Sequence, residues 1–230
     1  MKILIVFGLL VFVSAGFAQS SRSEFSKSYK VGSTLYVWAK SGLNLRAKQD
    51  MTGAIIARAS FGDKVTVLTD TNPIVPMTNE NIKGEWVKVK LKDKEGYLFN
   101  GFLSRYAPPE TPEIEVTAFL KKNFSVKLET TQPPDKRVYN MYQKIVFDNG
   151  VEFLWEAPEG GSGVYTTFPL SVITFQEMFL LARGCYAEFF TAPMKCDYLE
   201  GLMSCTDAYD ASLRLSKENG KWEMKWGHAD

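Results

Sequence analysis

One histidine, His228, serves the whole of the 230 residues, and it lies two residues from the end. Zinc sites built on two or three histidines are thereby excluded. A Ser-His-Asp or Cys-His catalytic unit has only His228 to use as its base, at a terminus of the kind that frays. Cysteine is scarce, with three residues. A surplus of one charge is also missing: 27 basic residues face 26 acidic ones, and no long block carries one sign. Steering towards nucleic acid or an anionic membrane has no support in that pattern. After residue 18, no run is apolar enough to span a bilayer, which takes ~20 residues. There is no internal repeat, and no motif calls for a cofactor.

What is present begins with an address. Lys2 precedes an apolar run from Ile3 to Val13, followed by small residues at Ser14, Ala15, Gly16 and Ala18. This is the pattern of a secretory signal peptide over 1–18, with cleavage expected after Ala18 or after Ala15. Residues 19–30 are Ser-rich and read as a linker. Loss of Lys2 with the leader leaves 26 basic against 26 acidic residues, a neutral mature chain. The expectation is an exported protein, periplasmic or extracellular.

Export sets the reading of Cys185, Cys196 and Cys205, because an oxidising compartment favours one disulfide. Three pairings are open. Cys196–Cys205 is the favoured one, closing a short loop, with Cys185 a buried thiol near the end of a helix. Cys196–Cys205 or the alternative Cys185–Cys196, which also closes a short loop, would contribute ~2–3 kcal/mol.

Residues 31–106 read as a small all-β unit. Thr34 to Lys40 alternates, Ala54–Arg58 is a short strand, and Phe61-Gly62-Asp63 is a turn before Lys64–Leu68. Trp86 to Leu91 and Tyr97 to Leu103 follow, with a turn over Lys92–Gly96 between them. Short alternating strands joined by Gly-containing polar turns make a barrel or sandwich. The stretch Thr69 to Lys83, with two prolines and three asparagines, reads as a surface loop.

Four pieces recur in a known order: Leu43-Asn44-Leu45-Arg46, Gly62-Asp63-Lys64-Val65-Thr66-Val67-Leu68, Gly84-Glu85-Trp86-Val87-Lys88-Val89, and Gly96-Tyr97-Leu98 with Leu103. Together they resemble the bacterial SH3 (SH3b) domain. The Gly-Pro that commonly follows the first piece is replaced by Lys48-Gln49-Asp50. The resemblance implies a cell-envelope protein with a module that binds wall peptide or an envelope protein. Tyr36, Trp38, Tyr97 and Phe99 are the candidate ligand-binding aromatics. Strand alternation lets only about half of such rings point outward.

A Pro-rich link at 107–112 leads to residues 113–230, expected as an α+β domain. A helix is expected from Pro112 to about Lys122. A hairpin is expected over Gln143–Phe147 and Val151–Trp155, with Asn149-Gly150 favouring a type I′ turn. A second is expected around Asn219-Gly220, with Trp222, Met224 and Trp226 on one face. Thr174-Phe175-Gln176-Glu177 is a capping box opening a helix to about Arg183. Chemistry is sparse here. Glu159-Gly160-Gly161-Ser162-Gly163 lacks the Gly-Lys-Ser/Thr of a phosphate loop. Glu152, Glu156 and Glu159 offer a carboxylate pair for glycoside cleavage, with solvated strand acids the plainer reading. Asp197, Glu200, Asp207 and Asp210 lack the spacing of a calcium loop. The expectation is a non-enzymatic binding protein. The alternative is a carboxylate-dependent wall hydrolase with its site in residues 113–230.

Overall fold

The computed structural model describes residues 29–69, 76–79, 82–109, 115–132, 141–158, 160–190, 195–199, 202–206 and 211–229. The expected signal peptide lies outside the described residues, as does most of the Ser-rich linker. Two eight-stranded antiparallel sheets dominate.

The first sheet comprises β1 (Thr34–Val37), β2 (Leu43–Arg46), β3 (Ile55–Ala59), β4 (Lys64–Val67), β5 (Pro76–Asn79), β6 (Ile82–Leu91), β7 (Lys94–Phe99) and β8 (Leu103–Ser104). Its order is β3-β2-β7-β6-β4-β1-β8, with β5 paired to the start of β6. Alternation does what the sequence suggests: Leu35 and Val37, Val65 and Val67, and Val87 and Val89 are all buried. Two local expectations change. The stretch 69–83 is not all loop, because Pro76–Asn79 forms a hairpin with β6. The turn expected over Lys92–Gly96 shrinks to Lys92-Asp93, since Leu91 already pairs with Lys94. Gly96 therefore sits inside β7. A Cβ there would lie 2.6 Å from the Arg46 carbonyl oxygen and 2.9 Å from Leu45 Cγ. Glycine is what lets β7 cross β2 so closely.

The second sheet comprises β9 (Val126–Gln132), β10 (Met141–Phe147), β11 (Glu152–Ala157), β12 (Gly161–Pro169), β13 (Lys195–Leu199), β14 (Leu202–Thr206), β15 (Ser212–Glu218) and β16 (Lys221–Ala229). Its order is β13-β14-β15-β16-β12-β11-β10-β9. Helix α1 (Val116–Asn123) precedes it, and α2 (Phe175–Cys185) links β12 towards β13. With eight strands against two helices among the described residues, the unit is mostly β, and the expected α+β balance is not what it shows.

Both expected hairpins are present, but their turns differ. Asn219 and Gly220 have φ of 50° and 72°, as a two-residue type I′ turn requires. At 148–150 only Gly150 has positive φ. Its N–H donates to Phe147 O at 3.0 Å, Phe147 N–H donates to Val151 O at 2.9 Å, and Asn149 Oδ1 accepts from Val151 N at 3.2 Å. That is a type I turn closed by a left-handed glycine. The extra residue Asp148 makes a three-residue loop, which takes this form rather than type I′.

Helix α2 opens with the expected capping box: Thr174 accepts from Glu177 N–H, and Glu177 accepts from Thr174 N–H. Phe175, Met178, Phe179 and Ala182 are buried, as their spacing implies. Gln176, Glu177, Leu180 and Leu181 are buried as well. The helix has two buried faces because it lies between the second sheet and the barrel. Phe175 packs against Trp222 on the sheet side. Gln176 Nε2 donates to Asn100 O at 2.5 Å on the barrel side. Trp38, Phe119, Phe124 and Phe147 then form an edge-to-face series that carries the barrel core through α1 into the second sheet.

Candidate functional site

Between barrel and helix lies a cleft of about 430 Å³. The barrel contributes Trp38 and the turn 39–42, with Leu43, Phe61 and Phe102; α2 and the short 3-10 helix Ala187–Phe190 contribute Leu180, Arg183, Gly184, Ala187 and Phe190. The turn is fixed at both ends. Gly42 N–H donates to Ala39 O at 2.8 Å. The Arg58 guanidinium donates from both Nε and Nη2 to Ser41 O. Gly42 has φ of 76°, and a Cβ would meet Ala59 O at 2.6 Å, so this turn is built for glycine. Arg183 holds its guanidinium 5.4 Å from the Phe102 ring centre. Lys40 is exposed.

The walls are locked by a buried ionic contact. Glu177 is fully buried and takes two hydrogen bonds from the Arg105 side chain, Nε to Oε1 at 2.9 Å and Nη2 to Oε2 at 2.6 Å. Arg105 backbone N–H adds a third at 3.0 Å. The carboxylate raises the Arg105 pKa far above its ordinary value, although burial opposes it. Tyr106 Oη donates to Val172 O at 2.5 Å, and Trp38 Nε1 donates to Tyr106 O at 2.8 Å. Burial pushes the Tyr106 phenol up.

The four aromatics singled out from the sequence are not brought together. Trp38 is 6% exposed and is one of the residues that line the cleft. Phe99 is 4% exposed. Its ring fills the space left by Gly84 and Gly101, where added Cβ atoms would lie 2.6 Å and 2.3 Å from it. Phe99 therefore presents no face to solvent. Tyr36 and Tyr97 are half-buried and lie three strands apart, on β1 and β7. Lys64 Nζ stands 5.8 Å from the Tyr36 ring centre. Sequence reasoning missed the 39–42 turn and Arg183. The basic Arg183 at the end of a capped helix was the available signal, but nothing in the chain's order says which surface the helix faces.

The acids of the second sheet also regroup. Glu152 and Glu156 share a strand, while Glu159 lies outside the described residues. Across β12, Glu152 and Glu223 are both in register with Thr167. With Glu218 and Lys221 they line a shallow hollow of about 280 Å³. Burial works to raise the Glu152 pKa, but hydrogen bonds from Lys221 and Lys144, each 3.3 Å from the carboxylate, outweigh it and hold the group low. Burial and the neighbouring Glu218 push Glu223 up. His228 sits within β16, opposite Ser162 on β12, rather than on a frayed end. The side chains of Asp197, Glu200, Asp207 and Asp210 lie outside the described residues. So does that of Cys196, although its backbone is directly opposite Cys205 in the β13–β14 hairpin. Cys185 is half-buried at the end of α2.

A sheet of short antiparallel strands, curled round one apolar core and bringing β1 beside β8, defines a small SH3-like barrel. Residues 41–104 match the family model of the bacterial SH3 domain, and the chain carries that domain. The matched stretch begins in the turn that lines the cleft and ends at Ser104, and no family model matches the second sheet. No curated protein and no solved structure matches the chain. Among the described residues, no helix is long and apolar enough to cross a membrane.

Proposed function

We propose that this is an exported bacterial envelope protein that works by binding, not catalysis, and that its partner is a wall peptide or an envelope protein. The observation that carries the reading is the bacterial SH3 match over 41–104, since such domains are typical cell-wall binding modules. The signal-peptide pattern at 1–18 supports the location. The test is co-sedimentation of the mature protein with purified peptidoglycan at low salt, alongside Tyr36→Ala and Tyr97→Ala. Wild type is expected in the pellet, with at least one variant reduced. Wild-type protein left in the supernatant would refute the wall-peptide reading.

Export also implies a bridge between Cys196 and Cys205. Directly opposed residues of antiparallel strands have Cα separations of ~4.5–5.5 Å, inside the disulfide range. Mass spectrometry of unreduced peptides should recover the two joined. Three alkylatable thiols in the native exported protein would refute the bridge.

The hydrolase reading keeps one specific support: Glu152 and Glu223 flank Thr167, with the Glu152 carboxyl held below the usual carboxylate range and the Glu223 carboxyl pushed above it. That asymmetry is what acid and base roles need. If it holds, clearing of a peptidoglycan suspension should be lost in Glu223→Gln. An absence of any clearing by wild type would sink it.

A further inference from the structure

We propose that the outer face of the barrel sheet docks a linear polyanion that bears a phosphate in each repeat. The proposal goes beyond the wall-peptide reading, since it gives the barrel a second kind of ligand on a face away from the cleft. The sequence hides this face twice. The mature chain is neutral as a whole, yet residues 31–106 carry 11 basic and 7 acidic residues, while residues 107–230 carry 12 and 18. Along the chain the cations are also interleaved with buried valines: Lys64 and Thr66 flank Val65, and Lys88 and Lys90 flank Val89. Alternation sends the valines into the core and the lysines to the outer face.

Strand register then sets those lysines side by side. β4 and β6 are neighbours, with Thr66 opposite Lys90. Two residues back along β4, Lys64 comes abreast of the turn that carries Lys92. Lys88, Lys90 and Lys92 succeed one another at ~7 Å, two residues of strand rise. Lys64, Lys90 and Lys92 are exposed. Among the described residues, neither Lys90 nor Lys92 is in an ion pair. Lys88 meets Glu95 at 3.5 Å, with both side chains partly exposed. An exposed bridge of that kind is weak and exchanges readily. Tyr97, opposite Lys88 on β7, and Tyr36, opposite Lys64 on β1, bound the band at its two sides.

Exposed side chains in a line enclose nothing, so they hold a small anion poorly. A polymer meets several of them at once, and each contact releases a counterion. Lysines are mobile point charges that follow phosphates in any orientation, whereas planar carboxylate recognition favours arginine. A lipid surface fits less well. The exposed Ile55 and Ile56 that would enter one lie on β3, beyond β7 and β2 from the lysines.

The experiment titrates the mature chain with long-chain sodium polyphosphate by calorimetry, between about 50 and 200 mM salt. Three to four contacts predict a slope of log affinity against log salt of about −2 to −3. Lys64→Gln, Lys90→Gln and Lys92→Gln should each flatten that slope by about 0.7, with unchanged melting temperatures. The triple variant should bind about tenfold more weakly, or worse, at the low-salt end. Lys127→Gln, exposed on β9 of the second sheet, should leave affinity and slope as they are. No binding at low salt, a slope unmoved by the three substitutions, or an equal loss in Lys127→Gln would each overturn the proposal. So would pelleting with phosphatidylglycerol vesicles by a protein that ignores polyphosphate. Polyphosphate contains neither peptide nor sugar, so the two readings fail separately. Wild type that binds it yet stays in the supernatant with peptidoglycan sinks only the wall-peptide reading, and the converse removes only this face.

Discussion

Single residues in this chain act mostly through shape and desolvation. Gly96 is the sharpest case. Any side chain there collides with a backbone carbonyl on β2, which cannot swing away as a long side chain could. Gly96→Ala should cost about 1–3 kcal/mol, the range for overpacking a core. Urea denaturation would measure it, and an unchanged midpoint would mean that β2 yields more easily than its contacts suggest. Tyr29 is the titrating counterpart. It is buried, and its hydroxyl donates to Leu103 O at 3.0 Å. Burial first, then the charge of Glu177, raises its pKa well above 10.0. The folded state thus holds the phenolic proton more tightly than the unfolded state does. That stability is complete below the unfolded pKa and drains as pH rises through the folded one. Unfolding midpoints should fall on going from neutral pH to about 11, and fall less steeply in Tyr29→Phe, which itself loses about 1 kcal/mol at neutral pH. Identical slopes for the two proteins would count against Tyr29 as a source.

Among the elements, α2 decides how the two sheets meet. Its capping box was legible from Thr174 and Glu177 because both partners lie within four residues of each other. The same Glu177 also takes Arg105, 72 residues away, which local sequence cannot show. Glu177→Gln separates the two jobs. Glutamine preserves the capping box, while the Arg105 guanidinium loses its charge partner. A loss of roughly 3 kcal/mol is expected, against about 1 for Thr174→Ala. Thermal denaturation of the two variants compares them directly. Equal losses would mean that the ion pair adds nothing beyond the cap. The strands show the same division. Alternation placed the buried valines of β4 and β6 and the Trp222–Met224 face of β16 correctly, because period two is a local property. The hidden hairpin at Pro76–Asn79 and the burial of Phe99 were not legible. The first depends on pairing with β6, and the second on two glycines, 15 and 2 residues away, leaving room for one ring. The cleft was illegible for a related reason, since its halves come from segments about 140 residues apart.

As a whole, the molecule is less divisible than its sequence suggests. The Pro-rich stretch 107–112 looks like a tether between independent parts. Yet Trp38, Tyr106, Phe119, Phe124 and Phe147 pack continuously across it. A fragment covering 31–106 would expose Trp38 and Phe102 and strip Arg105 of its carboxylate. It should therefore lack the cooperative melting transition expected of the full chain, as followed by circular dichroism. A sharp transition in the fragment would restore the picture of two independent units. The shared core also bears on how such a chain changes over generations. Recombination can move a self-sufficient barrel from one gene to another as a ready cassette. This barrel would reach a new host with a bare aromatic flank and half a cleft, so it and its companion sheet are bound to be inherited together.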